Sequence, residues 1–315
     1  MPHLARRSIA WMARALPVTL PVVAADSTPI LLLVDRADLG HSGLNKAMLL
    51  ARHLRAPLEL YLCEVSPSGR SPQDSPQGVS RLAPMQAAAH AYLHALRQSI
   101  FSTDVQIHCE SQVATSLADG LDQRLRRRAA LLVIIPVGAQ ILPQRHLGVD
   151  WSPLQGRSVP LLLTRRRVWR PIPQFGAAVD LGADGDDELG ARLIGLAERL
   201  TRRCAALLEY LYLAVGDNEG KVALEAWRRL GRLAGGTPAR CALKGWLHCQ
   251  QGQPSEELPG VVGERGYDLL MMGWPRRPAS ALAGRNHHHA PPPSVRLLHE
   301  SAGDLLLLPA VASGD

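Results

Sequence analysis

The chain has 315 residues, 46% of them apolar, with a formal charge of +7 and a pI near 9.5. That length suits two domains, and the apolar share supplies a full core, which excludes a disordered or collagen-like chain. Of the 35 basic residues only Lys46, Lys221 and Lys244 are lysines, and aromatics make up 4%; an arginine skew without interleaved aromatics is compositional and argues against a nucleic-acid-binding face.

In chain order, Arg6 and Arg7 precede a mostly apolar stretch, Ser8–Ala25, with the outline of a secretory signal. Arg14, Pro17 and Pro21 interrupt it, so residues 1–27 are expected to form a flexible extension. No apolar run reaches the roughly 18 residues of a membrane span. Ile30-Leu31-Leu32-Leu33-Val34-Asp35 is an apolar run closed by an acid, predicted as a buried strand of a parallel sheet. Leu44, Ala47, Met48, Ala51 and Leu54 recur at helical spacing, and Leu58–Cys63 predicts the second strand. Ser66–Pro84, rich in Ser, Pro, Gly and Gln, predicts a mobile surface loop. A helix at Met85–Gln98, a strand at Val105–Cys109, a helix at Ser116–Arg128 and strands at Leu131–Ile135 and Leu161–Leu163 complete the unit.

The same order then recurs. Phe175–Asp180, a helical face on Leu189, Leu193, Leu196, Ala197 and Leu200, and the strand Leu207–Leu213 repeat the opening. Helices at Gly220–Ala234 and Glu256–Arg265 and strands at Ala239–Trp246, Leu269–Met272 and Leu305–Leu307 repeat the rest. The offset is 180 − 35 = 145 at the first strand and 305 − 161 = 144 at the last, which implies duplication of a whole domain. Alternating strands and helices predict two tandem five-stranded parallel-sheet α/β/α domains of Rossmann-like type, residues 28–165 and 174–310. Arg165–Pro173 reads as an exposed linker between them. Cys63, Cys109, Cys204, Cys241 and Cys249 form no Cys-x-x-Cys pair. Free thiols of this kind belong to a reducing compartment, so a cytoplasmic protein is expected.

This pattern resembles the universal stress protein family. The resemblance rests on the strand-terminal Val34-Asp35 and Val179-Asp180, on the helices with Ala51 and Ala197, and on Tyr267-Asp268-Leu269-Leu270-Met271-Met272-Gly273. It covers about Thr28 to Pro309 and is similar to members that carry two domains on one chain. It implies that Leu161–Leu163 and Leu305–Leu308 pair at an internal pseudo-dimer interface, in a monomeric pseudo-dimer or a homodimer. It also implies a place for ATP, where an acid ends the first strand and glycines after the fourth let backbone approach phosphate. The positions that correspond are Asp35, Gly138, Asp180 and Gly273, with Arg276 facing an anion and Ser294 available in a shifted alignment. Two of the three family glycines are replaced in each unit, by Ile141 and Trp151 in the first and by Arg276 and Asn286 in the second.

Catalytic signatures are lacking: the chain has no Gly-x-Ser-x-Gly, no Walker loop and no Rossmann glycine fingerprint. His287-His288-His289 sits in a Pro-rich stretch that offers no fixed metal geometry, and His90 and His94 lie one helical turn apart without a third ligand. Arg124, Arg126, Arg127 and Arg128 fall near a helix C-terminus, where cations favour the dipole. Arg165, Arg166 and Arg167 form a second basic cluster. The expected function is a stress-linked regulatory or binding protein, not an enzyme, acting through protein partners or a small-molecule ligand. The alternatives are a nucleotide-binding sensor with slow or no hydrolysis, with ATP as its ligand, and a basic surface binder of nucleic acid or membrane.

Overall fold

The computed structural model describes residues 28–36, 42–66, 76–101, 104–137, 157, 159–181, 186–214, 219–235, 246–251, 254–274 and 302–310. The first half contains β1 (Ile30–Leu33), α1 (Ser42–Leu54), β2 (Leu58–Val65), α2 (Pro76–Ser99), β3 (Ile107–Ala114), α3 (Leu117–Arg127), β4 (Leu132–Pro136) and β5 (Leu161–Thr164). The second contains β6 (Gln174–Ala178), α4 (Asp187–Cys204), β7 (Leu207–Ala214), α5 (Glu219–Leu233), β8 (Trp246–Gln251), α6 (Pro254–Arg265), β9 (Leu269–Trp274) and β10 (Asp304–Pro309).

The described strands form one ten-stranded sheet in the order β3-β2-β1-β4-β5-β10-β9-β6-β7-β8. Within each half all neighbours are parallel. The halves join through the antiparallel pair β5–β10, with Leu161 opposite Leu307, Leu162 opposite Leu306 and Leu163 opposite Leu305. This is the expected internal pseudo-dimer. Both strands are buried along their whole length because each offers apolar side chains to both faces.

Side chains alternate across the sheet. Ile30, Leu32, Leu162, Leu306 and Leu308 join one core, with Leu44 and Met48 of α1, Leu93 of α2, Leu193 of α4 and Leu230 of α5. Leu31, Leu33, Leu161, Leu163, Leu305 and Leu307 join the other, with Leu121 and Leu125 of α3 and Val261 and Val262 of α6. Each core therefore runs without interruption across the seam.

The duplication extends to backbone detail. Arg55 and Ala205, each just past the first helix of its half, both take a left-handed φ, 54° and 49°. In both places an amide reaches back to close the helix: Ala56 N donates to Ala51 O and Ala206 N to Thr201 O, each at 3.0 Å.

Four local expectations need correction. The stretch read as a loop to Pro84 is helical from Pro76, because Pro is tolerated in a first turn and Ala89, Leu93 and Leu96 further along bury the helix against the sheet. β3 runs to Ala114 rather than ending at Cys109, and β8 lies at Trp246–Gln251 rather than Ala239–Trp246. Both are outermost strands, whose polar residues do not read as strand because one edge faces away from the sheet. Arg165–Pro173, finally, is an exposed linker only in part: Arg166–Val168, Pro171 and Ile172 are exposed, but Trp169 is 8% exposed and two buried acids pin the segment.

Candidate functional site

In each half the chain lays strands outward on one side and then returns to the other side of its first strand. β1 thus lies between β2 and β4, and β6 between β7 and β9. Parallel sheets take ligands at such a switch point, beyond the carboxyl ends of the strands. Asp35 lies two residues beyond β1 and is half-buried; Asp180 lies two residues beyond β6 and is exposed. The backbone before each is held alike, with Val34 N donating to Tyr61 O at 2.8 Å and Val179 N to Leu211 O at 2.9 Å. Register brings Asp180 close to Gly273, since Ala178 pairs Met272. Gly138, Arg276 and Ser294 lie outside the described residues, as do Ile141, Trp151 and His287–His289.

What fills the two strand ends differs in detail and agrees in effect. A Cβ on Gly43, in the first turn of α1, would stand 2.4 Å from Cγ of Pro136 at the end of β4. A Cβ on Gly273 would stand 2.8 Å from Cδ2 of Leu189, in the first turn of α4. Pro136 and Gly273 hold equivalent places, because Ile30 pairs Leu132 as Phe175 pairs Leu269. In one half a proline on the strand meets a glycine on the helix; in the other a glycine on the strand meets a leucine on the helix. Gly273 is thus spent on helix packing within β9, where it pairs Leu308. Pro136 has no N–H to offer. The described residues at these two ends are thus taken up by packing between the strand end and the first turn of the helix.

Two buried acids that matter structurally were not singled out in the sequence as charged groups. Asp304, at the start of β10 and 1% exposed, accepts from Lys46 Nζ, Arg165 N and Trp169 Nε1, all at 2.7 Å. Burial pushes its carboxyl above the ordinary range, against the pull of Lys46 and of the other donors. Asp268, also 1% exposed, accepts from Arg170 Nε and Gln174 N at 2.8 Å each. The equivalent places in the first half are Pro160 and Leu131. The asymmetry follows from connectivity, since only the second half receives the connecting segment. Lys46 also donates to Arg165 O at 2.5 Å, and Arg192 of α4 donates to Pro309 O at 3.0 Å, the pseudo-symmetric carbonyl. A lysine inside the apolar face of α1, between Leu44 and Met48, was the signal for this clamp.

The first arginine cluster is partly paired within its own domain, its four arginines sharing Glu59, Glu110 and Asp122. Arg124, 1% exposed, makes a two-pronged bond with Glu59, 2% exposed, and a further contact with Glu110 at 2.9 Å. Burial works against its charge, and Glu59 and Glu110 outweigh that and hold its pKa up. Arg126 pairs with Asp122 at 2.8 Å and Arg127 with Glu110 at 2.7 Å. In the second half Glu209 stands where Glu59 does, accepting from Tyr267 Oη at 2.6 Å with Arg265 at 3.5 Å. Among the described residues no group of three or more His, Cys, Asp or Glu is placed to hold a metal ion.

Cys63, Cys109 and Cys204 are free thiols. Burial pushes Cys204 up to about 11 and Cys63, opposed by a hydrogen bond from Tyr61, also to about 11. Iodoacetamide at pH 8 is therefore expected to label both in the native protein on the order of 100-fold more slowly than an ordinary thiol of pKa about 8.5. Peptide mass spectrometry checks this; equal rates in native and unfolded protein would sink it. The folded pKa lies above the unfolded one, so the thiols' contribution to stability is whole below pH ~8.5 and is lost as pH rises through about 11.

No protein-family model matches the sequence, and no curated protein matches it significantly. Solved structures do match its shape. A functionally unknown protein from Pseudomonas aeruginosa PAO1 is 18% identical with a TM-score of 0.60, over 90% of this chain and 93% of its own. A universal stress protein from Archaeoglobus fulgidus DSM 4304 is 12% identical, also with a TM-score of 0.60, over 91% of this chain and 98% of its own. With the switch-point strand order, the antiparallel seam and the repeated halves in place, the chain has the universal-stress-protein fold, written twice in one polypeptide.

Proposed function

We propose that this chain is a non-enzymatic universal stress protein of the cytoplasm, a regulatory or binding protein that works through a protein partner or a small ligand rather than through ATP held at its switch points. The observation that carries this reading is the filling of both strand ends, by Pro136 against Gly43 and by Leu189 against Gly273. A phosphate-binding loop needs the opposite, open glycine backbone at a strand end. The free thiols, Cys204 buried and Cys63 and Cys109 half-buried, support a reducing compartment. Among the described residues no helix is long and apolar enough to cross a membrane.

The test is calorimetric titration of nucleotide-free protein with ATP and Mg²⁺. The expected result is no binding that depends on Asp35 or Asp180. Micromolar binding that is abolished in the double variant D35A/D180A would establish the sensor reading instead, which the presence of both aspartates at equivalent strand ends favours. The third reading, a basic binder of nucleic acid, is weakened because Glu59, Glu110 and Asp122 pair with arginines of its first cluster.

A further inference from the structure

The connecting segment does more than join the halves. It lies across α1 and encloses with it a groove of about 370 Å³ lined by five cationic residues, Lys46, Arg52, Arg166, Arg167 and Arg170, with Trp169 beside them. No acidic side chain is among the described residues that line it. Three of the five cations are met by carboxylates just outside: Lys46 by Asp304 at 2.7 Å, Arg52 by Asp104 at 2.8 Å and Arg170 by Asp268 at 2.8 Å. Arg166 and Arg167 are exposed and have no carboxylate or hydrogen-bond partner among the described residues. The groove therefore keeps a surplus of about two positive charges, on the guanidinium forks of two consecutive residues that both line it. Such forks match phosphate oxygens two at a time.

We propose that this groove is a binding site for a compact phosphate-bearing anion, one per chain, distinct from the two switch points. Its volume sits at the small end of ligand cavities, which suits a small phosphorylated molecule. An extended polyanion such as nucleic acid needs a long row of free cations. The other arginine cluster is a poor extension of the row, since Arg124 is buried against Glu59 and Arg126 and Arg127 each already meet an acid of their own domain. The groove's floor is preformed. Asp304 fixes Lys46 and the Trp169 indole, and Asp268 fixes Arg170, so binding has only the Arg166 and Arg167 side chains to order. The chain has one connecting segment, so the site occurs once, whereas switch-point binding has two equivalent places.

The probe is inorganic pyrophosphate, titrated calorimetrically into the full chain at about 50 mM salt, where screening is modest. The expected result is binding at one per chain. R166A/R167A is expected to weaken it at least about tenfold, R166K/R167K less so because charge remains while the fork is lost. R228A/R232A, two exposed arginines on α5, is expected to leave it within about twofold. Both exchanged groove residues are exposed, so an unchanged thermal melt shows that the variant folds. Absence of heat overturns the proposal. So does equal weakening in both alanine pairs, which would mark diffuse surface charge, and so does a stoichiometry of two. Binding of an acidic peptide or an oligonucleotide in place of pyrophosphate also overturns it. Because D35A/D180A is the readout for the switch points, failure of either idea leaves the other standing.

Discussion

Replacement of Asp304 by alanine is expected to cost about 3–5 kcal/mol, a large share of the 5–15 kcal/mol by which a domain is normally stable. The carboxylate is the one acceptor shared by Lys46, the Arg165 amide and the Trp169 indole. Its removal leaves a buried ammonium without its counter-charge and two buried N–H groups without an acceptor. A buried charge stripped of its partner is penalised far more than the intact pair is rewarded. The double variant K46M/D304L is accordingly expected to recover more than half of the loss, since it removes both charges and fills the space with apolar atoms. Urea denaturation of the three proteins measures this. A loss under about 1 kcal/mol in D304A, or no recovery in the double variant, would show that the clamp is not what holds the halves together. Proteolysis within residues 165–173 should rise in D304A, because Trp169 and Arg165 lose their anchor together.

Arg124→Ala is expected to be comparably severe, at about 3–5 kcal/mol. Glu59 and Arg124 are 2% and 1% exposed, face to face beneath α3, with Arg124 Nη1 also donating to Arg128 O at 2.8 Å. Truncation would leave Glu59 only the more distant Arg128, at 3.8 Å, and open the second core beside Leu121 and Leu125. E59L/R124M should again be far milder than either single change. The second half supplies an internal control. Glu209 answers Glu59, but its partners are a tyrosine hydroxyl and the more exposed Arg265, so E209A should cost clearly less than E59A. Thermal unfolding of the singles and the double variant decides it. Additive losses in the double would mean the pair is not coupled.

Sequence alone determined the element order, the duplication and the parallel halves. Buried strands such as Ile30–Leu33 and Leu161–Leu163 announce themselves by continuous apolar runs, and α1 and α4 by their spacing. Outermost strands were legible only in part. β3 and β8 carry His, Gln, Cys and Ser; among the described residues each has a neighbour on one edge only, and β3 is largely half-buried, so the continuous apolar run of a buried strand is missing. Candidate site residues were legible as positions: Asp35 and Asp180 do stand at equivalent strand ends. What Gly273 does was not, since a glycine spared for phosphate and a glycine spared for Leu189 look the same in a sequence. Tertiary structure alone decided the partners of the buried charges. Lys46 and Asp304 are 258 residues apart, and Glu59 and Arg124 are 65 apart. No local pattern encodes such pairs, because they exist only once folding brings two apolar surfaces together and leaves each charge no other group to meet. The connecting segment shows the same division. Its arginines and prolines read as exposed, and Arg166, Arg167 and Pro171 are; Arg165, Trp169 and Arg170 are held down because Asp304 and Asp268 wait at strand starts that the first half fills with Pro160 and Leu131.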